Sequence, residues 1–161
     1  MSIQFSHELI KGRIAETVFE QMIRDEGRYN VIPFGYEHTM PLLMQYQHLI
    51  EIKQVMENIK DAPDFALISN DKKKVYLVEV KYRTQLDIKK ILEISEHLLM
   101  RWRPSWLFIA TPDGFYCAPC RIIIKKNISR LSEKWVTVKR QADYLNLLNE
   151  FEKNKSKINE S

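Results

Sequence analysis

The chain has 161 residues, 45% of them apolar, with 4 Gly and 6 Pro. That is the length of one domain with enough apolar material for a core, and it excludes a disordered or low-complexity chain. The net charge of +4 conceals an asymmetry: residues 72–140 hold 16 Lys or Arg against 6 Asp or Glu, and the rest of the chain holds 9 against 15. Such a basic half points to a polyanion partner.

No apolar run reaches the roughly eighteen residues that would cross a bilayer. The opening MSIQFSHELIKGR lacks the layout of a secretory leader. The expectation is a soluble cytoplasmic protein with no membrane partner. The only cysteines, Cys117 and Cys120, are too few for a disulfide-stapled module. No histidine pair completes a zinc site with them, so they read as two thiols in or beside a hairpin.

In chain order, residues 7–25 read as a helix, because Leu9, Ile10, Ile14, Val18, Met22 and Ile23 recur at helical spacing, and Gly27 is its stop signal. Residues 29–36 are a first strand. Residues 41–59, rich in Leu, Met, Gln and Ile, predict an accessory helix whose wide apolar face would pack on the core or on a second subunit. The stretch APDFALISNDKKKVYLVEVKYR (62–83) predicts two strands joined at Asn70-Asp71. Residues 86–100 predict an amphipathic helix, with Leu86, Ile91, Leu92, Ser95, Leu98 and Leu99 on one face. WLFIAT (106–111) reads as a buried strand and Pro112-Asp113-Gly114 as a turn. FYCAPC and RIIIKK read as one or two further strands, WVTVK as a short strand, and 142–151 as a closing helix. The expected fold is therefore α/β, helices flanking a mixed sheet. It forms one domain over 1–152 with a helical insert around 41–60 and a polar, flexible tail over 153–161.

The charge inside the second strand of the hairpin is the feature that needs explaining. Side chains alternate along a strand, so Glu79 and Lys81 share one face while Val78 and Val80 enter the core. In an antiparallel hairpin the start of one strand lies beside the end of the other, which brings Asp64 to Glu79. Two adjacent carboxylates repel unless a cation stands between them. Hard oxygen ligands of this kind suit Mg2+. A plain ion pair between Glu79 and Lys81 at a sheet edge is the alternative, and a central hydrophobic strand is a poor place for an idle one.

Pro63-Asp64, a hairpin, then Glu79-Val80-Lys81 resembles the PD-(D/E)XK nuclease superfamily. Upstream, Lys11-Gly12-Arg13-Ile14-Ala15-Glu16 resembles the first motif of archaeal-type Holliday junction resolvases. The resemblance runs from about residue 11 to 111, and the segment 37–61 is longer than a minimal resolvase has. It implies a restriction-endonuclease-like three-layer α/β/α sandwich with a central mixed β-sheet, and a metal-dependent DNA endonuclease. Its implied catalytic set is Glu16, Asp64, Glu79 and Lys81. Asp64, Glu79 and the Val80 backbone carbonyl would hold Mg2+, with Mn2+ able to substitute. Glu16 would join them directly or through water, although Glu8 and Glu20 compete for that role. Lys81 would orient the attacking water or stabilise the phosphorane-like transition state. The resemblance implies DNA as partner, a homodimer, and no organic cofactor. Tyr82, Arg83, Gln85, Lys89, Lys90, Arg101 and Arg103 are the expected DNA-binding residues, with Trp102 between the last two for stacking. Arg121, Lys125 and Lys126 add charge, and 72–74 fall at the far end of the hairpin. The reading from another class is a nuclease-fold subunit that binds nucleic acid or a protein without cutting. The choice among linear, branched and single-stranded substrates stays open, as does DNA against RNA.

Overall fold

A computed structural model of the chain describes residues 3–35, 55 and 57–159. Five strands, β1 (Tyr29–Pro33), β2 (Phe65–Ser69), β3 (Val75–Tyr82), β4 (Trp106–Thr111) and β5 (Gly114–Pro119), form one sheet in that order. Only β3 and β4 pair in parallel; the other pairs are antiparallel. The named helices among the described residues are α1 (Ile3–Glu26), α2 (Ile88–Arg101), the single turn α3 (Cys120–Ile123) and α4 (Val138–Asn159). The mixed α/β architecture is the expected one, and α2 supplies the crossover that a parallel strand pair requires.

Strand alternation divides the core in two. Phe65, Leu67, Val78, Val80, Phe108 and Ala110 face α1 and α4. Leu107, Ile109 and Ala118 face α2 and α3. Helices thus cover both faces of the sheet. On α1 the buried stripe is Ala15, Val18, Phe19, Met22 and Ile23, the i, i+3, i+4, i+7 rhythm of a helix lying on a sheet. The helix ends where expected: Gly27 takes φ 74° and its N–H donates to the Ile23 carbonyl, the left-handed stop that glycine adopts without strain. α2 starts at Asp87, whose carboxylate accepts from the Lys90 amide at 3.3 Å and so satisfies one of the open N–H groups of the first turn.

Three expectations need correction. RIIIKK is not a strand. After Pro119 ends β5, Cys120 and Ile123 are buried while Ile122 and Ile124 are exposed, a three-residue rhythm that only a helical turn produces. WVTVK is not a strand either. Trp135 folds back in a turn, stacks on Tyr29 at 5.3 Å and lies 5.0 Å from Trp106; aromatic packing there outweighs ladder pairing. The last helix does not stop near 151 but continues to Asn159. The expected helix over 41–59 lies outside the described residues apart from 55 and 57–60, which are helical. No helix among the described residues is long and apolar enough to cross a membrane.

Phe19 is fully buried between the rings of Phe65 (5.3 Å) and Phe108 (4.7 Å), and so ties α1 to the sheet. Phe19→Ala is expected to lower stability by about 3–5 kcal/mol, read from the urea midpoint at unchanged slope. A loss below about 1 kcal/mol would show that α1 is not anchored there.

Candidate active site

The β2–β3 register decides which charges meet. Phe65 pairs with Val78 and Ala66 with Leu77, so the next step toward the open end of the hairpin sets Asp64 opposite Glu79. The Asp64 side chain confirms that closeness: its Oδ2 accepts from the Val80 amide at 2.8 Å. The Asp64 carbonyl in turn accepts from the Phe34 and Gly35 amides, at 2.9 and 3.2 Å. Asp64 is therefore clamped between the end of β1 and the middle of β3. Gly35 is buried in this clamp, and a Cβ there would stand 3.5 Å from the Asp64 Cα.

Glu79 and Lys81 occupy one face of β3, as alternation requires, while Val78 and Val80 are buried on the other. The Lys81 Nζ lies 2.5 Å from Glu79 Oε1, with side-chain exposures of 34% and 13%. The pair is thus only partly hydrated, in the third strand of a five-stranded sheet. Burial lowers the Lys81 ammonium, but the charge and hydrogen bond of Glu79, together with Asp64, outweigh it and leave its pKa raised. Lys81 is cationic at neutral pH.

Asp64 carries the opposite stress. Burial first, then the charges of Glu79 and Glu16, push its carboxyl up to about 8, against the pull of the Val80 amide and Lys81. Glu16, half-buried on α1, is thus close enough to act on Asp64, which assigns that motif glutamate to this site ahead of Glu8 and Glu20. Glu79 and Asp64 act on the Lys81 ammonium, and Glu79 and Glu16 act on Asp64. That donor set suits a hard divalent cation, which would neutralise the excess. Among the described residues no three His, Cys, Asp or Glu side chains already stand in a closed ligand cluster.

The expected DNA-binding residues divide. Gln85, Lys89 and Lys90 are exposed just beyond β3 and in the first turn of α2. Arg83 is half-buried beside Lys81 and its Nη1 donates to the Tyr82 carbonyl at 2.7 Å. Tyr82 is a packing residue: Lys11 Nζ lies 5.3 Å from its ring centroid, and burial, then Glu152, raises its hydroxyl to about 12. Arg101 faces its own chain, pairing with Asp61 at 2.7 Å and donating to the Glu57 carbonyl. Arg103 is exposed but donates through Nε to the Leu99 carbonyl at 2.6 Å. The indole of Trp102 meets Phe34 edge-on at 5.4 Å, a protein contact in place of an open stacking surface.

Several parts of the site carry no signal in sequence. The Phe34-Gly35 amides act through backbone alone. Cys120 lies behind Glu79. Burial raises its thiol, the Ser105 and Ser95 hydroxyls oppose the shift, and Glu79 adds to it. Cys117 and Cys120 belong to cores on opposite faces of the sheet, so strand alternation separates them. An apolar recess of about 240 Å³ between α1 and α4, lined by Ile10, Ile14, Val18, Leu147 and Phe151, contains none of the site carboxylates.

Comparison with protein-family models and with curated proteins finds no match to this chain.

The Asp64 shift has a sign that can be tested. A carboxyl whose folded value is raised holds its proton more tightly when folded. Its contribution to stability is therefore lost as pH rises from the ordinary carboxylate range through about 8. Between pH 5 and 8 the Tm of the wild type should fall more steeply than that of Asp64→Asn. Parallel curves would show that Asp64 is not held protonated. Millimolar Mn2+ should flatten the wild-type slope and leave that of Asp64→Asn unchanged.

Proposed function

We propose that this protein is a Mg2+-dependent endodeoxyribonuclease of the PD-(D/E)XK, restriction-endonuclease-like type, acting on branched DNA as a homodimer. The observation that carries the reading is the convergence of Asp64, Glu79 and Lys81 at one end of the β2–β3 hairpin. A sheet that needed only stability would place apolar residues there. The preference for branched DNA rests on the Lys11–Glu16 motif and its likeness to Holliday junction resolvases.

Asp64, Glu79 and the Val80 carbonyl are the groups that would hold Mg2+, with Glu16 completing the acidic set. A bound Mg2+ would supply charge neutralisation at the scissile phosphate and a more acidic water. The chain's own residues supply the rest. The Val80 amide fixes the Asp64 carboxylate so that its other oxygen is directed by the backbone. Glu79 holds the Lys81 ammonium at 2.5 Å; on substrate entry the ammonium is the group that shifts toward the phosphate, where it opposes the growing negative charge. The Glu79 side chain keeps only 13% of its surface exposed. The exposed Lys89 and Lys90 in the first turn of α2 offer contacts to phosphates flanking the cut.

Purified protein is expected to cut labelled four-way junctions with Mn2+ or Mg2+ and to stop with EDTA. Glu79→Ala and Lys81→Ala should each lower the rate by about 10²-fold or more, at a Tm within a few degrees of wild type. Failure of the wild type to cut any of linear, flapped, branched or single-stranded DNA, with DNA binding retained and no Mn2+ taken up, would replace this reading with a binding module that does not cleave.

A further inference from the structure

Asp64 is reached through a short, stiff lead. Ala62 and Pro63 stand between Asp61 and Asp64, and both are buried. The Pro63 ring fixes its own φ and bars Ala62 from the helical region. The Ala62 N–H donates to the Ile59 carbonyl at 2.9 Å and closes the turn before it. A lead this restricted passes a displacement of Asp61 on to Asp64 instead of absorbing it.

Asp61 is itself held, and by α2. Its Oδ2 accepts from Arg101 Nη1 at 2.7 Å, and its Oδ1 lies 3.3 Å from His97 Nε2. His97 and Arg101 are four residues apart and so leave the same side of the helix. Arg101 Nη1 also donates to the Glu57 carbonyl at 2.9 Å. The next residue, Trp102, meets the Phe34 ring edge-on at 5.4 Å, and the Phe34 amide donates to the Asp64 carbonyl. The end of α2 therefore reaches Asp64 by two routes, one along the chain before it and one through the residue after β1. The same helix begins at Ile88, shortly after β3 ends at Tyr82. It thus ties the strand that carries Glu79 and Lys81 to the carboxylate that must meet them.

We propose that the Asp61–Arg101 pair is a brace for Asp64, and that both are positioning residues for cleavage. Asp64 stands opposite Glu79, and like charges push apart. A ligand set for one cation works only when its members are held close to the productive geometry. The brace supplies that hold from outside the site. It also gives Arg101 its task, which is to fix a carboxylate of its own chain and not a phosphate of the substrate. The proposal rests on the nuclease reading for the reaction that the brace serves, but it makes a separate demand on how firmly Asp64 is placed.

The test uses the full chain with Asp61→Ala, Arg101→Ala, the double variant and Asp61→Glu. An ion pair this exposed adds little to stability, so Tm should stay within a few degrees of wild type. The Val80 amide reports on the Asp64 carboxylate, and the Phe34 and Gly35 amides on its carbonyl. Hydrogen exchange at these three, read by NMR, is expected to quicken by about tenfold in either alanine variant while the amides of β4 keep their rates. The double variant should add nothing further, because the pair acts as one unit, and Asp61→Glu should restore part of the protection. With Mn2+, kcat on a four-way junction should fall by about tenfold, and the dissociation constant for the same DNA in Ca2+ should not change. Wild-type exchange at Val80 overturns the proposal, as does wild-type kcat. Weaker DNA binding in Arg101→Ala overturns it too, since Arg101 would then be a phosphate contact. So does a large fall in Tm with β4 loosened as well, since the pair would then hold the whole fold. A wild type that does not cut removes the nuclease reading alone, and the brace is then decided by the exchange rates.

Discussion

The antiparallel register of β2 against β3 is the constraint on which everything at this site depends. It sets Asp64 opposite Glu79, and the hydrogen bond from the Val80 amide to the Asp64 carboxylate extends the ladder by one side-chain link. A slip by one residue would turn Glu79 and Lys81 into the core beneath α1 and carry Val78 and Val80 to the other face. The apolar alternation of β3 and the charged site thus enforce one another, since each is correct only in the register that the other requires.

The same register explains how a central strand tolerates charge. Glu79 and Lys81 leave the sheet on the face opposite Val78 and Val80, near the end of β3, and Lys81 keeps a third of its side-chain surface in water. An ion pair this close to solvent escapes much of the desolvation cost that full burial would impose. Asp64 is less fortunate. Burial first, then the charges of Glu79 and Glu16, raise its pKa against the Val80 amide and Lys81.

Periodicity made much of this legible. The alternation in VYLVEVKY, the helical stripe on α1 and the amphipathic face of α2 were each readable because one residue pattern admits one local structure. RIIIKK and WVTVK were misread for the complementary reason: short runs of β-branched residues fit a strand or a buried turn equally well, and Pro119 and Trp135 decided the matter through contacts distant in sequence. The flanking cations show the same limit. Sequence reveals that Arg101 and Arg103 are basic and near an aromatic. It does not reveal that Asp61, forty residues upstream, claims the guanidinium of Arg101, or that the Leu99 carbonyl claims the Nε of Arg103. Charge is a property of a residue, and availability is a property of its neighbours.

The acidic surplus couples the site to its surroundings. Burial, then the charges of Glu79 and Glu16, disfavour an ionised Asp64 more than the Val80 amide and Lys81 favour it, and something must relieve that stress. A proton on Asp64, whose carboxyl is pushed up to about 8, is the relief that the chain achieves alone. A divalent cation is the other, and the two exclude each other because they relieve the same repulsion. Binding of such a cation would therefore release a proton at neutral pH, and its affinity would rise with pH until Asp64 is fully ionised, by the reciprocity that governs any pair of linked equilibria. A pocket holding only Glu79 and Lys81 would be electrically balanced and indifferent to both. It is Asp64, held in place by the Val80 amide and the end of β1, that makes the hairpin sensitive to the ion it meets.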